Sequence, residues 1–573
     1  MYTDVMTEIA RFKAGRIHVA RAGLATQARL CVDMLQQGRG MAWVVKNRDE
    51  LLTARALMRL FSPELSSGDF LPDALDKGGW TSLPPFSPRS ANREGWTERL
   101  SALYALRSGQ AKGLILTADN LLPKLVPLDF FENREVTLMR GEDVSLDMIL
   151  EQVVEWGYER VSMVSNPGEI ARRGDILDIM PPGYDKPIRL DFFGDLIEEI
   201  RLFDPVSQRS KANLSEVRVL PVSPIRQSPA DQAKMQARWK SLFQKNMLTE
   251  NERFGLTRLQ EQGDFRLLPG CCYDTATNLE AWLPADTVWV LPGLSDFRDM
   301  LSSAERLWTE AFEAQDVEGR PQPQRLAMRE ASDVESACER FACVHAEPLV
   351  MGIAKGIHAL PERSLSSFED LFPSTAEQDR PWQTLVQALK RWQNDKRQTI
   401  LCFASEKSRT KFLNLASQDG LSPLLRYSGE QHGLFALVAP FRAGAELIWD
   451  QSLILGEDLL QPHAEKSRRV PTGAFKGLDR YDELKPGDLL VHRDYGIARF
   501  GGLLRMETGS TANDFLLLHY SGDDRLYVPV DRLSLIQRFK GGGEAQPSLD
   551  RLGGGGWQSR KKPARLSKKS PKT

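Results

Sequence analysis

The chain has 573 residues, of which 41% are hydrophobic and 27% charged, and its formal net charge is -2. That composition excludes a wholly disordered chain. The near-neutral balance lacks the high pI by which a protein that grips duplex DNA usually shows itself. At about 150 residues per domain, the length leaves room for roughly four domains.

Up to residue 122 the pattern is α/β: GMAWVVK and GLILTAD read as buried strands, with the helical pattern DELLTARALMRLF between them. Residues 123–222 open with DVSLDMILEQVVEWGY, where Val144, Met148, Ile149, Val153 and Trp156 fall near helical spacing. The stretch RRGDILDIMPPGYDKPIRLDFFGDLIEEIRLFD follows, from Arg172 to Asp204, with Gly194-Asp195 between two alternating runs. That is a hairpin signal. Residues 223–335 are helical until TVWVLPG returns as a short buried strand, and 336–460 read as a second α/β unit with strands QTILCFA and LFALVAP. The Pro-rich, basic segment 461–486 reads as a linker. Over 487–540 the period changes to two, and LLVH, IARFGGLLRME, DFLLLHY and RLYVPV predict a small β-barrel. There Pro529 ends the last strand, Tyr527 packs on the barrel and Asp531 caps a helix. The Gly-rich, Lys- and Arg-rich tail at 541–573 reads as a flexible solvated end rather than a nucleic-acid arm.

No run of 18 apolar residues exists, so no membrane span is expected, and the first residues, MYTDVMTEIARFKAGR, lack the apolar core of a signal peptide. Cys31, Cys271, Cys272, Cys338, Cys343 and Cys402 form no CxxC pair and read as structural thiols of a reduced cytosolic protein. Cys338, Cys343 and His345 have irregular spacing and no fourth ligand, so they read as core rather than metal ligands.

A nucleotide-binding α/β domain needs a Gly-rich loop with a Lys for the phosphates and a hydroxyl for magnesium, and GxxxxGK[ST] occurs nowhere. IHVARAGLATQARLCVDML has strand, turn and helix in the right order, with Gly23 and Thr26 but no lysine. After TVWV, where an ATPase places acidic residues, stand Pro292 and Gly293. Both halves of the site are missing, which predicts a nucleotide fold without nucleotide chemistry.

Gly157-Tyr158-Glu159-Arg160, Arg173-Gly174-Asp175 and Asp191-Phe192-Phe193-Gly194-Asp195 match, in order and spacing, the UvrA-binding domain of the UvrB family. The chain departs from that family at Ala171, where UvrB carries an arginine. NLLPKLVPLDFF has no tyrosine, so a damage-inserting hairpin is not expected. GDLLVHRDYGIARFGG and RLYVPV resemble the CarD-type RNA polymerase interaction domain. The order of these modules resembles the non-motor, N-terminal portion of the transcription-repair coupling factor family. The resemblance implies a multidomain α/β and α+β fold. It comprises a degenerate RecA-type α/β domain with an inserted β-hairpin domain, a second α/β domain and a small SH3/Tudor-like barrel. It implies UvrA binding through Arg160, Arg173, Phe192 and Phe193, with one phenylalanine of the pair in the core. It further implies binding of the RNA polymerase β subunit through Arg499, Leu504 and Met506 on an exposed strand. No cofactor and no enzymatic activity are expected here, since ATP, magnesium and most contact with duplex DNA belong to the family's motor domains. The sequence reads as stopping before that motor, as a truncated piece or a fragmentary gene product. The expected role is a cytoplasmic, nucleoid-associated adaptor of a bacterium. The alternatives are a fragment of the motor enzyme and a stand-alone CarD-like regulator.

Overall fold

The structure is a computed structural model that describes residues 2–11, 14–61, 79–88, 90–205, 208–347, 357–374, 379–427, 432–439, 441–460, 487–492, 496–508, 511–521, 524–529 and 536–538. Backbone alone is described at 496, 503–508, 511–515, 527, 529 and 537–538. The expected linker, the helix expected at Asp531 and the tail at 541–573 lie outside the described residues. The chain separates into two compact units, residues 1–462 and 463–573.

The first unit is built on a seven-stranded sheet. Its strands are β1 (Gly15–Ala20), β2 (Met41–Val45), β3 (Trp80–Leu83), β4 (Gly113–Thr117), β13 (Val288–Pro292), β14 (Ala342–Glu347) and β15 (Ile357–Ala359). They are parallel throughout, in the order β15-β1-β14-β13-β2-β4-β3. A parallel sheet is covered on both faces, so its strands are apolar runs without polar alternation. In β2, Ala42 and Val44 enter one core, while Met41, Trp43 and Val45 enter the core on the other face.

The domain boundary expected at 335/336 is wrong by some 25 residues. β14 and β15 lie beyond it, yet each pairs with β1, more than 300 residues earlier in the chain. Parallel neighbours need crossover connections, so sequence adjacency does not reveal them. The second α/β fold begins at β16 (Glu362–Leu365). It continues through β17 (Gln398–Phe403), β18 (Leu434–Val438), β19 (Gly444–Leu447) and β20 (Ser452–Gly456), in the order β16-β19-β20-β17-β18.

The inserted domain carries a six-stranded sheet in the order β11-β10-β9-β8-β7-β6. Its strands are β6 (Glu159–Arg160), β7 (Glu169–Arg173), β8 (Ile176–Ile179), β9 (Ile188–Phe193), β10 (Leu196–Phe203) and β11 (Ser210–Leu214). A two-stranded ribbon of β5 (Val136–Met139) and β12 (Glu216–Val219) stands beside it. Two Gly-Asp loops shape the sheet. Gly174-Asp175 joins β7 to β8 and Gly194-Asp195 joins β9 to β10, and both glycines have φ of 62°. A two-residue hairpin loop needs positive φ at its first position, which glycine adopts without steric cost. The helix Leu146–Glu155 buries Leu146, Ile149, Leu150 and Val153. Met148, which falls near helical spacing in the sequence, is 71% exposed.

The second unit contains β21 (Leu489–His492), β22 (Gly496–Thr508), β23 (Thr511–His519), β24 (Arg525–Pro529) and β25 (Ile536–Arg538) in one antiparallel sheet, ordered β24-β23-β22-β21-β25. Leu490, Ala498, Phe500, Leu516, Leu518, Tyr520, Val528 and Ile536 form its core. The register of β22 against β23 shifts between Phe500 and Gly502. Gly502 takes φ of 124° there, and a β-carbon on Gly501 would lie 2.4 Å from the His519 ring. The Gly-Gly pair is thus a β-bulge that redirects the strand.

Candidate functional site

Three places carry the residues singled out from the sequence. The first is the cleft where a nucleotide would sit. Gly23 precedes the helix Leu24–Gln36, whose first N–H groups have no partner within the helix and point at any anion placed there. A carboxylate already holds that place. Glu362, the first residue of β16, accepts a hydrogen bond from the Thr26 N–H at 2.7 Å and one from the Ala25 N–H at 3.3 Å. A β-carbon at Gly23 would come within 2.4 Å of its Oε1. Thr26, the candidate magnesium hydroxyl, is fully buried, and its Oγ1 accepts from Trp449 Nε1 at 3.1 Å. Burial pushes the Glu362 pKa up, while the amides at Gly23, Ala25 and Thr26 pull against that rise.

In the other half of the cleft a second carboxylate stands close to a glycine that precedes a helix. Pro292 ends β13 and Gly293 precedes the helix Leu294–Val317. A β-carbon at Gly293 would lie 2.4 Å from Glu347 Oε2. Glu347 also stands 3.6 Å from His18 Nδ1. His345 stacks on His18 with ring centroids 5.5 Å apart, and its Nδ1 bonds the Pro292 carbonyl at 3.1 Å. Burial lowers the His345 pKa. The Cys343 thiol bonds the Cys338 carbonyl at 3.2 Å, so neither this thiol nor His345 points to a shared ligand position. Glu347, Glu362 and Trp449 were invisible to sequence reasoning. Glu362 lies 339 residues from Gly23, Trp449 lies 423 from Thr26 and Glu347 lies 54 from Gly293, and no local pattern marks them.

The second place is one end of the inserted sheet. The loops Gly174-Asp175 and Gly194-Asp195 lie together there, because the Phe192 N–H donates to the Asp175 carbonyl at 2.8 Å. The Val144 N–H donates to the Asp195 carbonyl at 2.7 Å, which brings the start of the helix Leu146–Glu155 alongside. Of the adjacent phenylalanines, Phe192 is 6% exposed and belongs to the core, while Phe193 is 74% exposed at the hairpin tip. Arg173 is exposed and donates to the Ser162 carbonyl at 2.8 Å. Arg160 is exposed, with no hydrogen bond or ion pair among the described residues. Arg172, which the sequence reading passed over, pairs with Asp147 across the same end. Behind these groups Arg189 grips buried Asp178 through two bonds of 2.7 and 2.8 Å, directly across β8 and β9. This fork fixes the two hairpins relative to each other.

The third place is β22 in the second unit. Arg499 is exposed and lies opposite Leu489 on one side and His519 on the other. Leu504 lies opposite Phe515 and Met506 opposite Asn513; their side chains lie outside the described part. β21 pairs with β22 only as far as Arg499. Beyond the bulge, among the described residues, positions 503–508 pair with β23 on one edge and with no strand on the other.

Comparison with known proteins agrees with this layout. The family model described as the UvrB interaction domain matches residues 136–224, and that described as the CarD-like/TRCF RID domain matches residues 484–540. A transcription-repair-coupling factor of Myxococcus xanthus is 30% identical over 522 residues, covering 83% of this chain and 42% of the relative. That of Escherichia coli (strain K12) is 28% identical over 83% of this chain and 42% of its own length. That of Haemophilus influenzae is 29% identical over 89% and 44%. The chain therefore spans less than half the length of the curated relatives it matches. Over that span it is similar to the transcription-repair-coupling factors, with a match to the UvrB interaction domain followed by a match to the CarD-like/TRCF RID domain.

Proposed function

We propose that the chain is an adaptor for transcription-coupled DNA repair, holding the RNA polymerase β subunit through its second unit and UvrA through its inserted domain. The observation that carries the polymerase half is the edge of β22 at 503–508, which pairs with no strand among the described residues. A free edge offers backbone donors and acceptors to a strand of a partner sheet, and alternate side chains set specificity. In this reading the second unit is a small SH3/Tudor-like barrel whose bulged strand is its docking arm, and Arg499, Leu504 and Met506 flank the contact. The UvrA half rests on a phenylalanine left in water at a hairpin tip, with the exposed Arg173 beside the adjoining Gly174-Asp175 loop and the exposed Arg160 farther along the same sheet, on β6. That combination supplies an apolar anchor and planar forks for carboxylates.

The adaptor has no chemistry of its own in this proposal. The places for the phosphate and for the magnesium-binding acids are held by Glu362 and Glu347, which supports a first α/β fold that takes neither ATP nor magnesium. The setting is the bacterial cytoplasm, at the nucleoid.

Binding to a β-subunit fragment tests the polymerase half, beside a Met506→Arg variant. Burying an unpaired guanidinium costs several kcal/mol, which is at least about a hundredfold in affinity. Tight binding lost in the variant supports the adaptor. Equal binding by both proteins removes β22 from the contact, and no binding by either removes the polymerase half of the proposal.

A further inference from the structure

We propose that Glu362 is a built-in occupant of the emptied phosphate cradle, and that its carboxylate latches the second α/β fold onto the first. Three observations carry this. The carboxylate comes from β16, in a different sheet, and enters the cradle 339 positions after Gly23. It takes two N–H bonds of the helix start, at 2.7 and 3.3 Å. Gly23 gives it room, since a β-carbon there would meet all three terminal atoms of Glu362 at 2.4 to 2.9 Å. Gly23 has φ of -77°, so backbone conformation does not call for glycine; clearance for Glu362 does.

The contacts around the latch run between the same two folds. The Glu362 N–H donates to the Arg21 carbonyl at 3.0 Å. Trp449, from the turn between β19 and β20, bonds Thr26 and stacks on Tyr2 with ring centroids 4.3 Å apart. Ala25 and Ala28 of the cradle helix share one core with Ile400, Phe435 and Ile454 of the second sheet. A nucleotide fold normally closes and opens around its phosphate. Here the anion is covalently part of the neighbouring fold, so the cradle empties only when that fold moves away. The first α/β fold is thereby held in one liganded state with no nucleotide cycle.

The test is hydrogen exchange of the full chain, read by mass spectrometry on peptides covering 23–29, for the wild type, Gly23→Ala, Glu362→Ala and the double variant. On the wild-type background Gly23→Ala pushes the carboxylate out, and exchange at 25–26 rises at least about tenfold. Glu362→Ala produces a rise of the same order. The double variant exchanges within about twofold of Glu362→Ala alone, because the added methyl no longer meets a carboxylate. Peptides covering 176–203 report that the rest of the chain stays folded. If Glu362→Ala unfolds the chain, Glu362→Ser, whose side chain is too short to reach Gly23, replaces it and gives a comparable rise, again without a further effect of Gly23→Ala. A wild-type background indifferent to Gly23→Ala overturns the proposal, and so do effects that multiply in the double variant.

Discussion

Phe193 at the hairpin tip offers the sharpest test of the proposed UvrA contact. At about 200 Å² for a whole phenylalanine, its 74% exposure leaves on the order of 150 Å² to be covered by a partner. At about 25 cal/mol per Å², full coverage contributes on the order of 3.5 kcal/mol. Truncation to alanine keeps the Cβ and forfeits about 2–3 kcal/mol, or roughly thirty- to hundredfold in UvrA affinity. The same substitution touches little within the chain, so unfolding free energy should change by less than about 0.5 kcal/mol. Phe192, one residue away and buried in the core, behaves in the opposite way. Phe192→Ala should cost about 3–5 kcal/mol of stability. The assays are titration calorimetry with UvrA and urea unfolding of both variants. UvrA affinity within twofold of wild type for Phe193→Ala would refute the reasoning. A stability loss for Phe193→Ala matching that of Phe192→Ala would refute it as well.

Removing Asp178 strands the Arg189 guanidinium beside a buried strand, so Asp178→Ala should lower stability by about 3 kcal/mol or more in urea unfolding. Replacing both residues with apolar ones should cost less than the single change. Gly502→Ala forces a side chain into φ of 124° at the bulge; it should cost about 1–3 kcal/mol in thermal unfolding of the second unit and weaken β-subunit binding. Glu252 closes a capping box with Thr249 and holds Arg325. Burial raises its pKa, but the bonds from Arg325 and Thr249 outweigh burial and leave it below the usual carboxylate value. Its contribution is therefore present above the unfolded pKa and fades as pH falls through the depressed folded one. The stability difference between wild type and Glu252→Gln, about 1 kcal/mol near neutrality, should shrink in the acid range. Saturating ATP with magnesium should leave the unfolding temperature of the chain unchanged, and a rise of several degrees would place a nucleotide in the first unit.

Local signals were legible and long-range ones were not. Gly194-Asp195 announced the hairpin, and the apolar runs at β2, β4, β13 and β17 are buried strands, because turn chemistry and strand period are written within a few residues. The Phe192-Phe193 pair divided between core and water as strand alternation requires. The boundary at 335/336 failed because β14 and β15 join a sheet begun by β1, and no local feature records a parallel partner. Met148 falls near helical spacing but is exposed, because the helix turns its apolar face through Leu146, Ile149, Leu150 and Val153. The absent lysine and acids at the cleft were readable from the sequence. What replaces them was not, since Glu362 and Glu347 become neighbours of Gly23 and Gly293 only in the folded chain.

The most direct measurement of the central claim is recruitment on immobilised RNA polymerase. UvrA is passed over the surface alone, then with this chain, in the absence of ATP. The adaptor account expects UvrA to be retained only when the chain is present, and to be lost with either Phe193→Ala or Met506→Arg. UvrA that stays in solution while the chain itself is bound, or that displaces the chain from polymerase, would contradict the account.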